Sequence, residues 1–413
     1  MPIAVLSHIT VFFLLRKELV EAQPHRYEDA DGKVTMVEKP TLLAKLSIID
    51  YGGMLLFFFG AGLIVLAVTW GGATYPWRSS AVLVPLIIGG LMLFSFILYE
   101  HLMVPGRALS RIFPSQEPMI PLSLFHTKDM GILAYLNFST GMAMFSVFYF
   151  VGIWFTIVQK YDSGKAGVQL IFYTPGLGVG AYTAMFLCNI WPKATFWPLF
   201  FGSTLEPLGV GMLTWALSHG RIRVVDGMLG FAGVGTGLRM MPGMLHAVGL
   251  RSRFKARALA TMSFTLTFGG TIGIAIMASV FNNKLSQFVS GVAHINPHNT
   301  SSVGDIDSLP PALQAQVRAE VNNAVFWAYV SILPFLSLAG ALVFFLGNVK
   351  ITAKKQDSHG EIDGTENVEN TPYLWWLATA KRRHAAQSQT GVEAPVEKYA
   401  EERRTEGKST ATD

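Results

Sequence analysis

The chain has 413 residues, 51% of them hydrophobic and only 14% charged, where a soluble domain carries about a quarter charged, so a water-soluble globule is set aside for a membrane protein. A single cysteine, Cys188, excludes a disulfide scaffold and a cysteine-based metal site. The net charge of +5, with ten of the 32 Lys and Arg residues after Val349, fits a tail beside anionic lipid better than a nucleic-acid binder.

A helix needs about 20 apolar residues to cross the ~30 Å hydrocarbon core. Pro2–Leu15 is apolar but has 14 residues, about 21 Å of helix. It lacks a positive leading region and a small-residue cleavage site, so it does not read as a signal peptide. It is expected to be the end of a helix that begins upstream. A polar loop, Arg16–Lys45, follows. Eight full-length spans are then predicted: Tyr51–Trp70, Ala81–Tyr99, Gly131–Val158, Gly167–Ile190, Ala194–Leu217, Gly227–Gly249, Ala258–Phe281 and Ala324–Gly347. These runs lack period-2 alternation and exceed the 9–11 residues of a barrel strand. Helices satisfy every backbone group internally in hydrocarbon. The fold class is therefore all-α, a polytopic transmembrane helix bundle.

Between the spans, His101–Lys128 is proline-rich and is expected to lie along the membrane face. Leu309–Asn323 reads as a short outer helix with proline at its start. The tail from Ile351 is charged and is expected to be disordered. If Pro2–Leu15 exits to the cytoplasm, the inside loops hold fourteen Lys and Arg residues before the tail and the outside loops seven. That bias puts the 350–413 tail inside and the Asn282–Asn323 loop outside. The sequon Asn299-Thr300-Ser301 falls in that outer loop, as a glycosylation acceptor must. The Lys381–His384 cluster falls inside.

No HExxH, GxSxG or P-loop occurs, so no enzyme is expected, and neither a cofactor nor a metal site. Gly233, Gly235 and Gly237 resemble a nucleotide fingerprint but lack a preceding strand. They read as close helix packing or a hinge, as do Gly176–Gly180 and the run holding Gly269 and Gly270. Arg239 lies twelve residues after Gly227, near the midplane, where a charge costs about 3 kcal/mol. It must face water or an acid. Glu206, at the same depth in the preceding helix, is the expected partner, either as a static ion pair or as charges lining a transport path, with Arg239 the better cavity residue. Asp50 is expected to favour the N-terminus of its helix, and His246 to be solvated at the interface. Tyr135, Asn137, Ser139, Thr140, Met144, Tyr149 and Trp154 in one span, and Gln169, Tyr173 and Tyr182 in the next, are candidates for lining a path. Asn137, Gln169 and Tyr173 are preferred.

Several stretches resemble the fourteen-helix drug:proton antiporter branch of the major facilitator superfamily, in its fungal subgroup. "IDYGGMLLFFFGAGLIVLAVTWGGATYPW" is similar to the first helix of that branch's linker pair. "PMIPLSLF" is similar to the stretch before its C-terminal six helices. "YFVGIWFTIVQKYDSGKAGVQLIFYTPGLGVG" resembles its ninth and tenth helices. "GFAGVGTGLRMMPGMLHAVGL" and "TFGGTIGIAIMASVFNN" resemble its twelfth and thirteenth. The match runs from about Ile48 to Val349 in order.

The resemblance implies residues 1–46 as a remnant helix and cytoplasmic loop, 47–100 as the linker pair and 101–128 as a cytoplasmic connection. It makes 129–349 the C-terminal six-helix bundle and 350–413 the tail. The family has six more helices before the linker pair, so an N-terminally truncated chain is expected, with a missing N-terminal half as a partner. The resemblance further implies export of small organic compounds driven by protons, from the plasma membrane rather than the vacuole. Uptake of a nutrient or metal chelate, and a non-transporting membrane scaffold, remain as alternatives.

Overall fold

In a computed structural model of the chain, the described residues are 26–28, 34–36, 49–72, 74–104, 107–112, 116, 118–119, 122–190, 194–250, 255–289, 310–349 and 370–379. Pro2–Leu15, Asn299 and Lys381–His384 lie outside them. Two short strands, β1 (Arg26–Glu28) and β2 (Val34–Met36), pair antiparallel with Tyr27 opposite Thr35. They fall within the expected polar loop, where β-prone Tyr, Val and Thr alternate with polar residues.

The helices follow the apolar runs. They are α1 (Tyr51–Trp70), α2 (Ser80–Leu102), α3 (Ala108–Ile112), α4 (Lys128–Ile153), α5 (Ser163–Leu170), α6 (Tyr173–Asn189), α7 (Phe196–Ser218), α8 (Ile222–Leu250), α9 (Lys255–Val289) and α10 (Pro311–Leu342), with residues 373–379 as α11. Pro85, Pro207, Pro242 and Pro334 lie inside helices, which a membrane bundle tolerates because neighbouring groups satisfy the freed carbonyls.

Among the described residues, six helical stretches are long and apolar enough to cross a membrane: Tyr51–Trp70, Ser80–Leu102, Lys128–Val158, Ser163–Asn189, Lys255–Ser286 and Leu313–Phe345. The other two expected spans are α7 and α8, of 23 and 29 residues. Their glycines, prolines and internal charges dilute their apolar character, and their neighbours shield those charges.

Two boundaries differ from the sequence-based expectation. The expected outer helix and the last span are one continuous helix, α10, because nothing in Leu309–Asn323 breaks the backbone after the opening prolines. The span Gly167–Ile190 is broken at Ile171–Phe172 into α5 and α6. Helix α4 ends in a wide π turn, Trp154–Val158. Within the segment expected as a disordered tail, residues 370–379 are ordered, and Tyr373 is buried in the core.

The chain divides into two compact units. In Met1–Phe58 with Leu93–Pro121, Asp50 accepts the Gly53 N–H at 2.8 Å and so caps α1. Phe57 and Phe96 meet edge to face at 5.2 Å.

The second unit, Phe59–Met92 with Leu122–Asp413, holds two apolar clusters. One gathers Phe150, Trp154, Leu213, Leu229 and Tyr329. The other gathers Leu133, Phe196, Leu199, Leu250 and Val343. Along α4, α7 and α8 the same order repeats: residues of one cluster, a polar interval, then residues of the other. The intervals hold Asn137, Ser139 and Thr140 on α4, Ser203 and Glu206 on α7, and Thr236 and Arg239 on α8, all buried.

Candidate functional site: a buried charge network

Helices α7 and α8 are consecutive, so residues at mid-length on each face one another at the same depth. Glu206 is fully buried and Arg239 is 1% exposed. The Arg239 Nη1 donates to Glu206 Oε2 in a direct ion pair. Its Nη2 donates to the Leu136 carbonyl and, at 2.6 Å, to Ser139 Oγ on α4. Thr236, one turn before Arg239, donates its hydroxyl to Glu206 Oε1 at 2.5 Å. Tyr173 Oη on α6 lies 2.6 Å from Thr236 Oγ1. A threonine hydroxyl has one hydrogen, and Glu206 receives it, so Tyr173 is the donor in that contact. The network thus joins α4, α6, α7 and α8, with a direction from Tyr173 through Thr236 to the carboxylate.

Such close approach needs small residues. A Cβ on Gly235 would stand 2.6 Å from the Glu206 backbone nitrogen. A Cβ on Gly202 would collide with the Arg239 side chain, and on Gly233 or Gly237 with the Tyr173 or Leu177 carbonyl of α6. On the α4–α9 contact, Gly269 faces the Phe138 carbonyl and Gly270 the Phe145 ring. These glycines let backbone meet backbone around the charges.

The remaining sequence candidates divide. Asn137 is buried and donates to the Met262 carbonyl at 3.3 Å, tying α4 to α9. Thr140 donates to the Leu136 carbonyl at 3.0 Å. Trp154 is buried and donates to Asn322 Oδ1 at 2.7 Å. Gln169 is half-buried on α5, with Oε1 shielded and without a hydrogen-bond partner among the described residues. Tyr149 and Tyr182 are exposed, Tyr182 by 82%.

Arg239 meets the expected acid, Glu206, and is enclosed by protein, with its Nε left without a hydrogen-bond partner among the described residues. One expectation is corrected. His246 is fully buried rather than solvated, with Nδ1 2.9 Å from Thr195 Oγ1, because the chain after α10 returns over it. Thr195 Oγ1 donates in turn to the Val349 carbonyl at 3.0 Å.

Two residues of the network and its surroundings, Thr236 and Asp129, are not among the sequence candidates. Thr236 carried a signal, since it lies three residues before Arg239 and so shares its face. Asp129 carried little, because its partners, Gly347 and Asn370, are more than 200 residues away.

Chemically, the network holds two charges in a protein interior with each oxygen of Glu206 accepting from a separate donor. That is the condition under which a buried pair is tolerated rather than neutralised.

The family model of the fungal trichothecene efflux pump (TRI12) matches residues 4–164. Among known proteins, the aspyridones efflux protein of Neocamarosporium betae is 27% identical over 367 residues, covering 87% of this chain and 60% of that protein. The acurin A biosynthesis cluster MFS-type transporter of Aspergillus aculeatus is 30% identical over 252 residues, covering 60% of this chain and 43% of that one. The efflux pump FUS6 of Gibberella moniliformis is 27% identical over 348 residues, covering 80% and 59%. The chain spans about half the length of the curated relatives it matches. A solved bacterial homolog of the human lysosomal transporter Spinster, inward-facing and unoccupied, aligns with a TM-score of 0.44 at 12% identity, over 71% of this chain and 67% of that one.

Proposed function

From the premise that this chain's sequence relatives are fungal efflux transporters of the major facilitator type, we propose that it serves the export of small, partly apolar organic compounds across a membrane. The observation that carries the reading is the similarity to fungal efflux proteins over most of this chain, together with helices long and apolar enough to cross a membrane; the Glu206–Arg239 pair lies buried within the same bundle. An isolated charge there is costly. Here it is kept by a partner and neutral hydrogen-bonding groups. Static pairing is the role for Glu206 and Arg239: they hold α7 and α8 together and anchor α4 and α6 to them.

Movement is assigned to the parts around that anchor. The break between α5 and α6 places Gln169 on a partly exposed helix just before Tyr173, whose hydroxyl reaches the ion pair through Thr236. Gln169 is the path residue in this reading. Asn137 and Tyr173 position helices. Proton influx is the driving force, as the family resemblance implies. Residues 47–100 serve as a linker pair and 129–349 as the transport bundle. In this reading 350–413 lies on the cytoplasmic side, which the loop-charge bias favours, and the membrane is the plasma membrane.

The test is accumulation of fluorescent organic dyes in cells with and without the expressed chain. Lower accumulation on expression, abolished by a proton uncoupler, is the expected result. Higher accumulation on expression would replace export with uptake, and no difference for any dye would leave the chain without transport of this class.

A further inference from the structure

Helix α5 is attached through an irregular joint at each end and is held between them by little. The first joint begins in the π turn of α4. There the Gln159 N–H donates to the Trp154 carbonyl at 3.2 Å, and the Tyr161 N–H to the Phe155 carbonyl at 3.0 Å. Lys160, between these donors, takes φ +58°, a left-handed backbone that a long side chain adopts at a cost. Asp162 Oδ2 then caps α5 by accepting the Gly164 N–H at 3.1 Å. At the second joint the Ile171 and Phe172 N–H groups donate to the Val168 and Gln169 carbonyls, three residues back rather than four. Pro175 offers no N–H to Ile171, and the Thr174 N–H takes that carbonyl at 3.0 Å instead.

Between the joints, Ser163, Gly164, Lys165, Gly167 and Val168 are exposed, and Ala166 alone is buried, at 3%. Ala166 enters the apolar cluster that holds Phe150 and Trp154. The Tyr161 ring stacks on Phe155 with centroids 5.5 Å apart, and Lys165 Nζ lies 3.9 Å from its face. Against these holds stand two costs of the seated position. One is the backbone of Lys160. The other is Gln169 Oε1, shielded from solvent and without a hydrogen-bond partner among the described residues. A short helix with a joint at each end, one buried side chain and an unsatisfied acceptor has a second position within reach.

We infer that α5 is a lid. It pivots at Lys160 and at Ile171–Phe172, lifts Ala166 from its apolar seat, and frees the Gln169 amide to bond a polar group of a transported compound. The second joint leads directly into Tyr173, whose hydroxyl reaches Glu206 through Thr236, so the pivot bears on the buried ion pair. What passes beneath the lid rests on the transport reading; the motion itself does not.

The motion is tested without transport, by maleimide labelling of the purified full chain in nanodiscs on a Cys188→Ala background. Ala166→Cys reports the lifted lid, Gly167→Cys the exposed face of the same helix, and Ala328→Cys the core, where Ala328 is fully buried. Ala166→Cys should label at least about tenfold more slowly than Gly167→Cys, as one held by a small apolar contact, and well before Ala328→Cys. Gln169→Leu removes the orphaned oxygen and should slow Ala166→Cys by about a further tenfold. Tyr161→Leu removes the ring that holds the first joint and should speed it about threefold. Each rate is divided by that of Gly167→Cys in the same background. Leu170→Cys, half-buried on the same helix, repeats the comparison should Ala166→Cys fail to fold. An Ala166→Cys thiol as inert as Ala328→Cys would overturn the lid, as would one as reactive as Gly167→Cys, or a rate that neither substitution changes. Labelling as expected from a chain that leaves dye accumulation unchanged would keep the lid and remove the transport reading.

Discussion

Thr236 and Arg239 divide one carboxylate between them: the hydroxyl takes Glu206 Oε1 and the guanidinium takes Oε2. Both donors stand on α8, one turn apart, and the acceptor stands on α7. The pairing of these helices is therefore written into three buried side chains. Tyr173 and Ser139 extend the contact to α6 and α4. The apolar clusters on either side keep water out, which makes each missing contact expensive.

Thr236 is the first point of attack. Thr236→Val keeps the shape but removes the donor to Glu206 and the acceptor of Tyr173. The loss should be about 1–3 kcal/mol of stability, read as a lower thermal midpoint of the purified protein in detergent. Thr236→Ser should restore most of it. A valine variant as stable as the parent would mean that the hydroxyl contributes nothing to the network.

The glycines make a second set of outcomes. Gly235→Ala and Gly269→Ala each insert a methyl where backbone already sits, and should destabilise by about 1–3 kcal/mol. A methyl added at Gly131 or Gly227 would meet nothing within 4 Å. There, alanine should be neutral or slightly stabilising, by up to about 1 kcal/mol in a helix interior. Melting curves of the four variants decide it, and equal effects at all four sites would remove the close-packing account.

Orientation can be read with one reagent. Cys188 is the sole cysteine and is buried, so Cys188→Ala provides a clean background. A membrane-impermeant maleimide added to intact cells should label Lys284→Cys, near the outer end of α9, and leave Trp375→Cys unlabelled until the cells are opened. The reverse pattern would invert the topology assigned from the loop charges.

The spans were legible because apolar run length is a one-dimensional property. The Glu206–Arg239 partnership was legible for a related reason: consecutive helices of known length place their midpoints at one depth. Whether Arg239 looked onto water or protein was not legible, because that depends on Ser139 and Leu136, 100 residues and more away. The same limit hid the burial of His246, which depends on Thr195 and on the backbone returning at Val349. The α5–α6 break carried a signal in Pro175, which has no N–H to bond back to Ile171, and run length alone does not register it. The order of 370–379 escaped because local composition says nothing of Asp129 waiting at the start of α4.

The central claim is that Glu206 and Arg239 stabilise the bundle as a pair rather than as separate charges. A double-mutant cycle on thermal stability, with Glu206→Gln, Arg239→Met and both together, tests it directly. Each single change should strand or unbalance a buried group and cost about 3–5 kcal/mol, and the double variant should cost clearly less than the sum of the two. Strict additivity, with both single variants near the parent, would contradict the claim.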